Sequence, residues 1–202
     1  MPREKSQEKY HHGNLREAIM ETSLELIAEE GVRALTLREI GTRLGVSRTA
    51  PYRHFADKDA LLGAIGAAGF QGFGDVLDHA RKSAASNFFD QLEAMGIAYV
   101  RFAAEHRAHF EVMFGSGGKA LHLDPEGSKV ADRAFGILEE TIRGGQAAGE
   151  FVGGDSMDIA RMVWALVHGI SLLGFDGSSS HGPGPGFPLF CFAHLRAGIR
   201  KH

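Results

Sequence analysis

The sequence predicts an all-α protein, with a small N-terminal three-helix domain over residues 10–56 and a larger helical domain over residues 57–202. Three observations predict it. Apolar residues recur at three- and four-residue spacing in every long segment, the period of a helix with one buried face. Ser, Thr and Asp stand where these segments begin and Gly where several end, which are helix start and stop signals. The connections between them are short or rich in Gly, Pro and Ser. A chain of 202 residues with 44% apolar content can bury proper cores of this kind.

In chain order, residues 1–9 are a polar tail in which Lys5 and Lys9 can serve as a cationic arm. Leu15 to Glu30 is the first helix. Leu15, Ala18, Ile19, Thr22, Leu26 and Ile27 form its inner stripe, and Glu17, Glu21, Glu25 and Glu29 its solvated face. Gly31 ends it. Thr36 and Glu39 have the spacing of a capping box, so a second helix begins there, with Leu37, Ile40 and Leu44 inward and Arg38, Thr42 and Arg43 outward. Gly45 supplies a left-handed turn, Ser47 caps, and a third helix of about two turns runs from Arg48 to Phe55.

Two short helices across a turn containing Gly make a helix-turn-helix, whose second member enters the major groove of DNA. The residue types fit that task. Arg matches the paired acceptors of guanine, and Tyr, His and Lys reach phosphate oxygens. Between residues 36 and 58 five cations, Arg38, Arg43, Arg48, Arg53 and Lys58, stand against Glu39 and Asp57. The whole chain carries a net charge of −3, so attraction for a polyanion is confined to this local patch.

From Tyr10 to about Leu62 the chain resembles the DNA-binding half of the TetR family of transcriptional regulators. The likeness is carried by YHHGNLREAI, by AEEGVRALT and by the SR-x-x-x-YRHF-x-x-K-x-x-LL block. It implies that Arg48 and Thr49 lie against bases and that Tyr52, His54 and Lys58 hold phosphates; Thr36, Arg38 and Ser47 of the same segment are also expected to contact DNA. Pro51 departs from the pattern, since the family more often has Leu or another apolar residue there. As the fourth helical residue after a Ser47 cap, Pro51 removes a needed amide and predicts a distorted helix start.

Asp57 caps a helix from Lys58 to about Ser83. It carries Gly63, Gly66, Gly69, Gly72 and Gly74, which serve either close packing or bending. In the family this helix joins the DNA-binding domain to the larger one, and its tilt sets the spacing of the recognition helices. Phe88 to Glu105 and His106 to Phe114 are the next two helices. Residues 115–127 are a loop, and Ser128 to Ala148 is a helix with Val130, Phe135, Leu138 and Ile142 inward. Phe102, Phe110, Met113, Phe114 and Phe135 supply either plain core or the wall of an effector pocket for an unknown small molecule.

Asp155 or Ser156 caps a helix that is apolar nearly all round from Met162 to Leu173, and so needs cover on more than one side. After the linker SSSHGPGPG, residues 187–201 form a last helix with Phe190, Phe192, Leu195 and Ile199 apolar. Segments 156–175 and 187–201 together suggest a four-helix interface in a homodimer. Trp164, His168 and Gly169 make a W-x-x-x-H-G pattern that resembles one TetR subgroup. His168 lies one turn past Trp164, placed to meet a ligand or pair with a buried partner.

The reading is a ligand-responsive repressor, homodimeric on a palindromic DNA operator, with no cofactor or metal. A metal or redox sensor using His106, His109 or Cys191 is the alternative. An enzyme is remote: the chain has no nucleophile elbow, phosphate loop, HExxH or CxxC. One cysteine excludes an internal disulfide, which fits a cytoplasmic protein. The charged start precedes no apolar leader. The longest apolar run, Met162 to Phe175, is about 14 residues, short of the roughly 20 that a bilayer needs, so no membrane segment is expected.

Overall fold

The computed structural model describes residues 15–84, 87–115, 123–175, 184 and 186–200. Among these are eight α-helices: α1 (Leu15–Glu30), α2 (Leu37–Arg43), α3 (Lys58–Ser83), α4 (Phe88–Glu105), α5 (Arg107–Phe114), α6 (Pro125–Ala147), α7 (Ser156–Phe175) and α8 (Phe187–Ile199). Short 3-10 helices occupy Val32–Ala34 and Pro51–Arg53, and one isolated antiparallel bridge joins Phe151 to Arg200. The chain divides into two compact units, Met1–Leu61 and Leu62–His202, with the division inside α3.

In the first unit Ile19, Leu26 and Ile27 of α1 are buried with Leu35, Leu37, Ile40 and Phe55. All four predicted outward glutamates of α1 are exposed. Ser23 is buried too, because its hydroxyl donates to the Ile19 carbonyl at 2.6 Å and needs no water. Gly31 has φ +81° and its amide donates to Ile27 O at 2.8 Å, closing the helix as expected. The Thr36 side chain accepts from the Glu39 amide at 3.1 Å.

The second unit is built around α4, which packs against α5, α6, α7 and α8. Its core runs from Phe73 and Leu77 of α3 through Leu92, Met95 and Tyr99 of α4 to Val163 and Val167 of α7. Close packing accounts for two glycines of α3. A Cβ at Gly69 would lie 2.7 Å from Met113 Sδ, and one at Gly74 would touch Ala134 at 3.5 Å.

Several expected elements are corrected. The third helix, Arg48 to Phe55, is a turn followed by the 3-10 helix Pro51–Arg53. Helix α6 starts at Pro125, three residues before the predicted Ser128, because Asp124 caps it by accepting from Gly127 N at 2.7 Å and Pro is well suited to a first helical position. His106 is the cap residue between α4 and α5, not the start of α5. Helix α8 ends at Ile199, since Arg200 turns into the bridge with Phe151. The rest of the 115–127 loop and most of the 178–186 linker lie outside the described residues, as do residues 1–14 and 201–202.

By length and composition alone, α3 and residues Ser156–Gly174 of α7 are apolar enough to cross a membrane, which a count of uninterrupted apolar residues does not register. Charged and small residues interrupt both runs without lowering their mean hydropathy below that of a span.

Candidate functional site

The turn after α2 is shaped by Gly45, whose φ of +66° lets Val46 N reach back to Gly41 O at 3.0 Å. Pro51 then decides the form of the next segment. It has no amide to donate to the Ser47 carbonyl, which accepts instead from Ala50 N at 2.9 Å. Arg53 N donates to Ala50 O at 3.1 Å and His54 N to Pro51 O at 3.0 Å, so three-residue closures replace the four-residue ladder until Phe55 N, which also reaches Pro51 O at 3.0 Å. The Pro51 ring is buried over Gly41, where a Cβ would meet its Cγ at 3.4 Å.

With Leu44, Pro51 and Phe55 held inside, the polar residues are left outside. Thr36, Arg38, Ser47, Arg48, Thr49, Tyr52, Arg53 and His54 are all exposed, Tyr52 at 53% despite its large ring. Ser47 and Thr49 hydroxyls lie 3.3 Å apart. Two expected cations have other work. Arg43 is clasped by Glu29 at 2.6 Å, Glu30 at 2.8 Å and Glu39 at 3.5 Å, and the Glu29 hydrogen bond holds its pKa above the ordinary range. Lys58 donates to the Val32 carbonyl at 2.7 Å, and burial lowers its pKa.

In the second unit a cleft of about 290 Å³ is lined by Arg107, Phe110, Glu111, Phe114, His168 and Leu172, with Gly115 at its edge. His168 sits at its wall. The His168 ring stacks on Phe110 at 5.4 Å, meets Phe114 edge-on at 5.0 Å and lies 5.7 Å from Trp164. Its Nδ1 is 2.8 Å from the Tyr99 hydroxyl. Burial pushes the Tyr99 phenol well above its ordinary pKa and the His168 imidazole below its own, so both are neutral near pH 7.

Thus Phe110, Phe114 and His168 of the expected pocket come together at the cleft, and Trp164 and Phe135 adjoin them, their rings 6.0 Å apart. Met113 is core against Gly69. Phe102 faces elsewhere, beside a separate cleft of about 420 Å³ with His79, Arg101 and His106. Sequence reasoning missed Tyr99 as a site residue. A buried Tyr hydroxyl needs a partner, and that need was the available signal.

His106 and His109 rings lie 6.2 Å apart, and burial, with His106 nearby, lowers the His109 pKa. Among the described residues no three His, Cys, Asp or Glu converge as a metal cage. Cys191 is half-buried on α8.

Residues 19–65 match the family model for bacterial regulatory proteins of the tetR family, and residues 92–190 match that for the tetracyclin repressor-like C-terminal domain. The chain belongs to the TetR family.

Among TetR-family relatives, the HTH-type transcriptional regulator Rv1816 of Mycobacterium tuberculosis is 28% identical over 134 residues, 65% of this chain and 57% of the relative. The chain therefore spans little more than half the length of that relative. Tetracycline repressor protein class C of Escherichia coli is 47% identical over 53 residues, 26% of this chain and 24% of that one. Of solved structures, a protein of unknown function from Rhodococcus sp. RHA1 superposes with TM-score 0.84 at 28% identity, covering 96% of this chain and 100% of that one. The SmeT–triclosan complex has the same TetR fold, with TM-score 0.69 at 24% identity over 92% of this chain and 91% of that one.

Proposed function

We propose that this TetR-family chain is a homodimeric DNA-binding transcriptional regulator of the cytoplasm, a repressor released from a palindromic operator by a small-molecule effector. The observation that carries the DNA reading is the outward set Arg38, Arg48, Thr49, Tyr52, Arg53 and His54, presented by α2 and the segment after it while Leu44, Pro51 and Phe55 are buried. Base edges need such donors, and phosphates need such cations. The reading assigns no enzymatic activity and no membrane.

The dimer reading is supported by the exposed apolar residues of α7 and α8. Met162, Leu172 and Leu173 on α7 and Phe187, Leu189 and Phe190 on α8 are exposed large apolar residues among the described residues. A second copy covering them explains α7 without a bilayer. Two recognition segments then lie roughly 34 to 36 Å apart, one turn of DNA. The effector reading is supported by the His168 cleft, and by a TetR-fold neighbour, SmeT, solved with triclosan. An effector shifts the DNA equilibrium only by its difference in affinity for the two states.

The test is selection of duplexes from a random DNA pool at about 150 mM salt, a condition that suppresses non-specific phosphate binding. The Arg48→Ala, Tyr52→Ala double variant runs beside the parent. Recovery of a palindrome that the variant cannot bind supports the reading. Absence of any enriched sequence for a folded dimer counts against it.

A further inference from the structure

Hydrogen-bond bookkeeping at the cleft wall determines which proton His168 offers. Tyr99 is buried, and a buried hydroxyl without an acceptor is costly. Among the described residues the one acceptor at its hydroxyl is His168 Nδ1, at 2.8 Å. The phenol therefore donates to Nδ1, and the neutral ring carries its own hydrogen on Nε2. That nitrogen has no hydrogen-bond partner among the described residues, and it is not sealed. The buried side-chain polar atom without a partner among them is Arg81 Nε.

We infer that the cleft takes a small, flat, uncharged aromatic molecule carrying one hydrogen-bond acceptor, which receives the His168 Nε2–H while its rings lie against Phe110 and Phe114. This deepens, and rests on, the effector reading above. The size fits: about 290 Å³ is at the lower end of small-molecule pockets and suits a few fused rings. The donor is neutral, and the lining holds one cation, Arg107, and one anion, Glu111, so neither ligand charge is favoured by it.

The hydrogen bond from Tyr99 to His168 makes the donor rigid. Pinning Nδ1 fixes both ring orientation and tautomer, so a ligand does not have to select among states. The single tryptophan of the chain, Trp164, lies 5.7 Å from the His168 ring and so senses a ligand bound there.

The experiment uses the full chain labelled with 15N, with 9-fluorenone and fluorene as probes. These are flat tricycles that differ by one carbonyl. Trp164 is the only tryptophan, so its indole N–H peak is identified at once. Fluorenone is expected to bind about tenfold more tightly than fluorene, the effect of one buried neutral donor left unpaired, and to move that peak. His168→Phe should abolish the preference, bringing the affinity ratio of the two probes to about one. If that variant does not fold, Tyr99→Phe serves, since freeing Nδ1 should narrow the preference. Long-range 1H–15N spectra of the free chain should show His168 protonated on Nε2 and bare on Nδ1.

Equal affinity for the two probes, or the opposite tautomer, overturns the inference and leaves the effector cleft standing. A folded chain that binds its selected DNA but neither probe overturns the inference and leaves the regulator reading standing. A chain that prefers fluorenone but selects no DNA supports the inference while the regulator reading fails.

Discussion

Phe192 of α8 lies directly on the backbone of α4 at Gly96, where a Cβ would fall 1.8 Å from the ring Cζ. Phe192 is fully buried, so its ring has nowhere to retreat. Gly96→Ala should overpack this contact and cost about 1–3 kcal/mol. For a chain of this size that is a fall in Tm of about 2–4 °C per kcal/mol, measured by calorimetry. An unchanged Tm would mean that α8 is not seated on α4 in this way.

Leu173 and Phe190 are 58% and 57% exposed and carry the proposed contact between copies. Leu173→Glu with Phe190→Glu places charges where an apolar interface core excludes them. The double variant is expected to sediment as a folded monomer at concentrations where the parent is a dimer. A parent that is itself monomeric would remove the dimer reading.

Pro51→Ala supplies the amide whose absence leaves Ser47 O to the Ala50 N–H. Residues 48–54 should then convert from 3-10 closures to an α-helical turn, read from 13Cα shifts. Re-running the DNA selection should yield altered base preference, because Arg48 and Thr49 are re-aimed. If the shifts of residues 48–50 do not move, the missing amide is not what shapes the turn.

Arg43 joins the end of α2 to the end of α1 through Glu29 and Glu30. Arg43→Gln leaves three carboxylates facing one another without their cation. Thermal stability should drop at low salt, and the drop should shrink as salt screens the repulsion. A deficit equally large at high salt would place the role of Arg43 in packing rather than charge.

His168 and His109 both have pKa values held below the ordinary 6.5 by burial. Below that pH the unfolded chain binds protons that the folded chain refuses, so stability falls as pH drops through and beneath 6.5. Above it these two groups are neutral in both states and contribute no slope. Tm measured from pH 7.5 down to about 5 should decline. His109→Gln should remove part of the decline and His168→Phe a further part; unchanged slopes would mean that neither imidazole resists protonation.

The first unit was largely legible from neighbouring residues. Helix α1 ends where Gly31 says, α2 begins at the Thr36 cap, and α3 starts under Asp57, whose carboxylate accepts from Ala60 N at 2.8 Å. Caps, glycine turns and apolar stripes act over three or four residues, so their causes lie in the chain itself. The same holds for the bounds of α4 and for the outward set from Arg38 to His54. Pro51 signalled a distortion, but whether the segment stays α-helical depends on how the ring seats against Gly41.

What the sequence determined, then, is the helical character, the capped ends and the polar turn, because each arises from local hydrogen bonding and periodicity. Tertiary structure alone decided which side chains meet across distance. Tyr99 and His168 are 69 residues apart, and their 2.8 Å contact makes a core tyrosine into a partner of the site. Phe102 and Phe110 look alike in sequence, yet they line different clefts. Arg43 reads as a free cation until Glu29 and Glu30 close on it from α1. Such pairings arise from the packing of whole helices, and a one-dimensional pattern carries no record of which faces come together.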